Sequence, residues 1–148
     1  MSLYPGYTRK PHYYETDQMA IIHHANYIRW FEEARVELLD YLDLPYHTIE
    51  AVGLIVPVLG VSAQYKQMIR YEDEILIKVL VDQYTGTRLD FRYEVYKSDG
   101  KLATVGTSQH CFMSKETNRL VHLKRQFPEI HQRFAAYAAL SETSPTQD

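Results

Sequence analysis

Asn26-Tyr27-Ile28-Arg29-Trp30-Phe31-Glu32-Glu33-Ala34-Arg35-Val36-Glu37-Leu38-Leu39-Asp40-Tyr41-Leu42-Asp43-Leu44, followed at once by Pro45, is the stretch that decides the fold. Tyr27, Trp30, Phe31, Ala34, Leu38, Leu39, Tyr41 and Leu42 recur at steps of three and four, with Arg29, Glu33, Glu37 and Asp40 on the opposite stripe. That spacing predicts one long amphipathic helix over residues 27–44 with a wide apolar face to bury. Asn26 stands where an N-cap would offer its side-chain oxygen to an orphan N–H. Pro45 ends the helix, because proline disfavours helical geometry in the residue before it. A second short helical piece is expected over 46–53, closing at Gly53.

Beyond Gly53 the hydrophobic period falls to two and stays there for about sixty residues. Four strands are expected, over 54–67, 74–84, 87–97 and 102–114. In the third, Leu89, Phe91, Tyr93 and Val95 alternate with Asp90, Arg92 and Glu94, so one face is read as buried and the other as wet. Thr85-Gly86 and Ser98-Asp99-Gly100-Lys101 separate strands as hairpin turns, which makes the last three an antiparallel meander. Upstream, residues 9–15 read as a short aromatic strand. Residues 128–139 read as a short surface helix, with Pro128 in its first turn and Ile130, Phe134 and Tyr137 on one face. Residues 141–148 have little to bury and are expected to be a disordered tail after a single domain spanning 1–140. One strand, one long helix and four more strands give an α+β domain, a curved antiparallel sheet wrapped around one central helix. Open strand edges make a homo-oligomer the expected state.

The 148 residues are enough to enclose a core in one domain. A lone Cys111 excludes an internal disulfide, and its apolar strand reads as a filler position. With neither an apolar run of about 18 residues nor a signal segment, a cytoplasmic location is expected and no membrane span. The formal charge of −3 supplies no overall basic field for nucleic acid or an anionic membrane. A small molecule or a protein is the expected partner.

Chemistry concentrates in residues 13–27, Tyr-Tyr-Glu-Thr-Asp-Gln-Met-Ala-Ile-Ile-His-His-Ala-Asn-Tyr, which join the first strand to the long helix. Asp17 is followed by Met19, Ala20, Ile21 and Ile22, a setting that predicts a partly desolvated carboxylate. His24 comes seven residues later, at the helix start, where unpaired N–H groups and the positive dipole end suit a developing oxyanion. A carboxylate facing such donors is minimal equipment for acyl transfer. The plainer alternatives are that Asp17 is a turn residue and that His23 and His24 are surface histidines. A metal set of His12, Asp17, His23 and His24 matches no standard zinc spacing.

The run from Tyr13 to Arg35 resembles the active-site segment of the 4-hydroxybenzoyl-CoA thioesterase family of hotdog-fold proteins, and within it the Tol–Pal-associated acyl-CoA thioesterase branch. It carries a Thr-Asp pair, a small residue three positions after the Asp, two aliphatics, a His at the seventh position, Asn-Tyr and then Trp-Phe-Glu-Glu-Ala-Arg. Tyr71-Glu72-Asp73-Glu74-Ile75 and Gly106-Thr107-Ser108-Gln109-His110 extend the likeness over about residues 7–125. The resemblance implies a hotdog fold, a five-stranded antiparallel sheet around one long helix with a short C-terminal helix, assembled as dimers and commonly homotetramers. It implies hydrolysis of an acyl-CoA or acyl-carrier-protein thioester, with no cofactor and no metal. Asp17 takes the catalytic carboxylate's place and the His24 N–H the carbonyl-polarising role; the branch's tyrosine falls on Tyr13 or Tyr14, and on Tyr13 by counting back from Asp17. Asn26, Tyr65, Lys66 and Arg88 are the expected substrate contacts, with Arg70 and Arg92 further cations on the sheet rim and residues 62–66 offered to a second chain. Gln67-Met68-Ile69-Arg70 replaces a run that usually contains Pro-Ala. Ala20 replaces a family Gly, a change that activity survives only if φ there is negative. A hotdog module that binds acyl groups or a carrier protein without turnover is the rival reading.

Overall fold

The structure, a computed structural model, describes residues 2–144. Strand β1 (Tyr7–Arg9) leads through a single 3-10 turn (Tyr13–Glu15) to helix α1 (Ala25–Tyr41) and short helix α2 (Tyr46–Ala51). Then follow β2 (Leu54–Ile55), β3 (Val58–Tyr65), β4 (Ile75–Tyr84), β5 (Arg88–Lys97), β6 (Leu102–Cys111), β7 (Met113–Ser114), α3 (Leu123–Gln126) and α4 (Pro128–Glu142). The five long-range strands form one antiparallel sheet in the order β1-β4-β5-β6-β3, and β2 pairs with β7 apart from it. This is the α+β hotdog arrangement the sequence leads one to expect, with β4, β5 and β6 as the meander. No helix among the described residues is long and apolar enough to cross a membrane.

α1 lies across the inner face of the sheet. Trp30, Phe31, Ala34 and Leu38 are buried against Ile77, Val79, Phe91, Tyr93 and Val95, so the three-and-four spacing of the helix meets the two-step spacing of the strands in one core. Phe31 stacks on Tyr93 at 4.5 Å with the rings 9° from parallel. Gly106 of β6 makes this approach possible, since a Cβ there would fall 2.3 Å from the Phe31 ring.

Several expectations are corrected. Residues 9–15 are not a strand: the ladder stops at Arg9, Pro11 has no N–H to continue it, and Tyr13–Glu15 turn as a 3-10 helix. α1 runs from Ala25 to Tyr41, ending where Asp43 takes a left-handed φ of 60° ahead of Pro45. The strand expected over 54–67 is split at Pro57 into β2 and β3, which belong to different sheets. Glu94 is not wet: its side chain is 3% exposed and accepts hydrogen bonds from Arg92 Nε and the Tyr96 hydroxyl. Residues 141 and 142 belong to α4, where Ser141 is buried and receives the Val81 N–H on its Oγ at 3.0 Å. The rest of the expected tail, 145–148, lies outside the described residues.

α4 packs on the sheet through Ile130, Phe134 and Tyr137. The Tyr137 hydroxyl donates to the Val79 carbonyl at 2.6 Å. Strand β3 is one edge of the sheet, opposite the three-residue β1, and carries exposed Val58, Leu59, Val61 and Tyr65.

Candidate active site

The segment between β1 and α1 is a turn braced from three sides. The Asp17 N–H donates to the Ile21 carbonyl at 2.8 Å and the Ala20 N–H returns to the Asp17 carbonyl at 3.1 Å. Asp17 Oδ1 accepts the N–H groups of Met19 (2.8 Å) and Ile21 (3.3 Å), while Oδ2 has no hydrogen-bond partner among the described residues. The carboxylate is thus pinned by one oxygen and open at the other. It is exposed in the single chain rather than partly desolvated. Ala20 closes this turn with a φ of +61°, so the chain keeps a left-handed bend without glycine. The condition placed on Ala20 from the sequence, a negative φ, is not met; the bend coexists with the Met19 and Ile21 N–H bonds to Asp17 Oδ1.

Beyond the turn, the Ile22 N–H donates to the Ile69 carbonyl (2.8 Å) and the His23 N–H to the Glu15 carbonyl (2.9 Å). These ties seat His24 at the N-cap of α1. The N–H groups of Ala25, Asn26 and Tyr27 find acceptors at His23 Nδ1, the His23 carbonyl and the His24 carbonyl. That of His24 finds none among the described residues. Its imidazole is exposed and stacked on His23 at 4.2 Å. An unclaimed N–H at the positive end of a 17-residue helix is suited to a carbonyl oxygen that gains charge.

A cleft of about 280 Å³ opens beside it, lined by Ile21, Ile22, His24, Tyr27, Tyr65 and Lys66, with Gln67 and Met68. The Tyr65 hydroxyl donates to the His24 carbonyl at 3.4 Å and its ring meets Tyr27 edge-on at 4.9 Å. Burial pushes the Tyr27 phenol up to about 12, so it stays protonated. Asp17 stands outside this lining, four residues before Ile21 on the same loop.

The other expected contacts divide. Tyr65 and Lys66 are in the cleft wall. Tyr13 is 71% exposed and packs edge-on against Tyr71 at 5.3 Å, with no hydrogen bond to Asp17. Asn26 is no N-cap: it is buried inside α1, and its Nδ2 donates to the carbonyls of Glu15 (2.9 Å) and His23 (3.3 Å). Its amide therefore clamps the loop. Arg88 is at the far end of the sheet, opposite Cys111 and paired with Asp90 at 3.0 Å. Along β6 that end is roughly 23 Å from the Thr104–Tyr65 pair. Arg92 is committed to Asp82 and Glu94. Arg70 lies nearer, bridged through its main chain to Ile21. His12 stacks on Tyr14, and no cluster of three or more His, Cys, Asp or Glu is placed to hold a metal among the described residues.

Glu15 is the residue that sequence reasoning missed. It is 4% exposed, and its carboxylate accepts bonds from Arg9 Nη1 (2.6 Å), the His12 N–H (2.7 Å) and Trp30 Nε1 (2.9 Å). Burial works to raise its pKa, but these donors and the Arg9 charge outweigh it and hold the carboxyl below the ordinary glutamate value. Its carbonyl meanwhile takes His23 and Asn26. A charged residue inside an aromatic run is the one local signal, and its partner Trp30 is a full helix turn beyond the loop.

A single α1 wrapped by this sheet defines a hotdog fold, with a free N–H at the helix start and a carboxylate on the preceding turn. The chain belongs to the Thioesterase-like superfamily, whose model matches residues 11–136. It is 32% identical over 119 residues to Bacillus subtilis YneP, provisionally named an acyl-CoA thioesterase, covering 80% of this chain and 86% of that one. The solved DHNA-CoA thioesterase from Staphylococcus aureus superposes with a TM-score of 0.86 at 31% identity, covering 95% of both chains. Escherichia coli YbgC, named an acyl-CoA thioester hydrolase, is 24% identical over 91 residues, 62% of this chain and 68% of that one.

Proposed function

We propose that this chain hydrolyses acyl-CoA thioesters to a carboxylic acid and a free thiol. What supports the reading is an unclaimed His24 N–H at the start of α1 and, on the turn before it, an Asp17 carboxylate held by one oxygen and free at the other. The N–H polarises the thioester carbonyl. Asp17 then either forms a C–O bond to the carbonyl carbon as the C–S bond breaks, leaving an anhydride that water opens, or takes a proton from the attacking water. In both routes the thiolate leaves and is protonated from solvent. The names borne by YneP and YbgC, and the resemblance of residues 13–35 to the 4-hydroxybenzoyl-CoA thioesterase branch, support this reading. Tyr65 and Lys66 line the approach to the carbonyl, and Arg70 is the nearest further cation for the CoA phosphates. Edge strand β3, with its exposed Val58, Leu59, Val61 and Tyr65, is the surface on which a second copy completes a dimer.

A second reading has one observation in its favour. Asp17 Oδ1 serves the turn, so the residue has a structural task that needs no catalysis, as in a module that only binds acyl-CoA or an acyl-carrier protein. Thiol release from a panel of acyl-CoAs decides between them. Wild type is expected to turn over, and Asp17→Asn, which keeps the Oδ1 acceptor, to lose about 100-fold or more with its circular dichroism unchanged. His24→Ala should lose less, since the backbone donor remains. Equal rates for wild type and Asp17→Asn take Asp17 out of the chemistry, and binding of acyl-CoA with no thiol released leaves the binding module as the answer.

A further inference from the structure

α1 flanks the edge strand β3 beyond His24, and separate clefts open along the seam between them. Tyr65 sits by His24 and Tyr27 at one end; Val61 and Val58 then share cavity walls with Ile28, Phe31, Glu32 and Arg35. A small cavity of about 150 Å³ and a larger one of about 460 Å³ both contain Glu32, Arg35 and Val58 in their walls. The larger is otherwise mostly apolar, with Val36, Leu39, Ile49, Leu89, Phe91 and Phe134 around it.

The polar exception is deep. Arg35 is half-buried, makes no ion pair among the described residues, and donates from Nη1 to the Tyr93 hydroxyl at 3.0 Å. Tyr93 is bonded to Ser108 Oγ at 2.6 Å, and Ser108 Oγ to His110 Nε2 at 2.7 Å. His110 is 1% exposed, and its Nδ1 has no partner. One assignment satisfies each hydroxyl: Tyr93 donates to Ser108, Ser108 donates to Nε2, and the imidazole proton rests on Nδ1. Burial, with the Arg35 charge adding to it, pulls His110 down to about 4, against weaker upward effects from Pro57, Asp90 and Val56, so the ring is neutral at pH 7. The chain thus backs a single cation with neutral dipoles in the wall of a mostly apolar cavity. Apart from the bond to Tyr93, the guanidinium donors have no partner among the described residues and are not sealed from solvent, so they are free to meet an anion that enters the cavity.

We propose that this seam receives the acyl group of the thioester and that Arg35 selects acyl groups carrying a carboxylate at their far end. The proposal rests on the hydrolase reading for the position of the thioester carbonyl at His24. From His24 to Arg35 the helix rises about 16 Å, and an arginine leans back toward the helix N-terminus, so acyl groups of about eight to ten carbons bring a terminal carboxylate to the guanidinium. A planar carboxylate matches the guanidinium fork with two charge-assisted bonds, where a methyl terminus offers none. Glu32 lines the same cavities and opposes an anion, but it is exposed and screened by solvent.

The experiment compares suberoyl-CoA with octanoyl-CoA, equal in chain length and different only at the end, through the ratio of their kcat/KM values in each variant, so that any loss of folded protein cancels. Wild type is expected to favour suberoyl-CoA about tenfold or more, mostly through KM. Arg35→Gln should bring the ratio to about one or below, Arg35→Lys should restore part of it, and Glu32→Gln should raise it. A wild-type ratio near one, or a preference that survives in Arg35→Gln, overturns the proposal. Should wild type cleave neither ester, the hydrolase reading fails, and calorimetric binding of the two uncleaved esters decides the seam separately. Tighter suberoyl-CoA binding that is lost in Arg35→Gln supports it, and equal binding overturns it.

Discussion

The β4–β6 meander and the loop between β1 and α1 are built on opposite terms. In the meander nine residues of β4 face β5 and nine of β5 face β6, and Ile75, Ile77, Val79, Leu89, Phe91, Tyr93 and Val95 are buried along it. Each residue there is held by many weak, repeated contacts. The loop exposes Asp17, Met19, His23 and His24, and is tied to the frame by a handful of directed bonds to Ile69, Glu15 and Asn26. Segments with few buried apolar contacts open at lower free energy than the core. The site is therefore as well ordered as its few polar anchors make it, and those anchors lie inside the frame.

Removing the principal anchor tests this most severely. Glu15→Ala leaves Arg9 and Trp30 Nε1 without the buried carboxylate they share, and losing one partner of a buried pair typically costs about 3–5 kcal/mol. Arg9 keeps Glu33 at 2.7 Å, so about 3 kcal/mol by chemical denaturation is expected. Amide exchange should rise first over residues 16–24, before the meander exchanges at all. Uniform loss of protection across both regions would erase the distinction between them.

The converse change strikes the frame. At Gly106 an added methyl meets Phe31, which cannot retreat because Tyr93 is stacked flat behind it. Overpacking of this kind costs about 1–3 kcal/mol. Gly106→Ala should lower the denaturation midpoint without changing the denaturant slope and without singling out the loop in exchange. A local rather than global loss would mean that α1 and the sheet are less firmly coupled than their packing indicates.

The same contrast explains what was legible in the sequence. The meander and α1 announce themselves through period, since repeated burial leaves a repeated pattern, and α1 differs from the expected 27–44 only at its ends. Asp17 and His24 stand out as candidates in the sequence because both lie on one short connection. Glu15 does not, because its role depends on Trp30 and Arg9, whose approach to it is tertiary. The position of Asn26 suits a cap, yet its amide turns inward to the loop. The alternation around Glu94 predicts a wet side chain, yet Arg92 and Tyr96 close over it. Charge alone groups Arg88 with Lys66, whereas sheet order places them at opposite ends. The pattern of a sequence reports which face a residue occupies; it does not report which residues of other elements arrive there.

The smallest expected effect is the most discriminating about what shapes the loop. Ala20 holds a φ of +61°, a conformation that costs an L-residue about 1–2 kcal/mol and glycine almost nothing. Ala20→Gly relieves that strain but frees the unfolded chain, which returns about 0.4–1 kcal/mol. The net gain should be about 0.5 kcal/mol, a rise in Tm of about 1–2 °C for a chain of this length. If Asp17 sets the bend through Met19 and Ile21, the turn keeps its form in Ala20→Gly and thioester turnover stays within about twofold of wild type, because the hydrogen bonds that aim the carboxylate are untouched. If instead the strained alanine itself holds the turn rigid, the glycine variant gains stability and loses turnover together, and the loop's order then comes from its own backbone as well as from the frame beneath it.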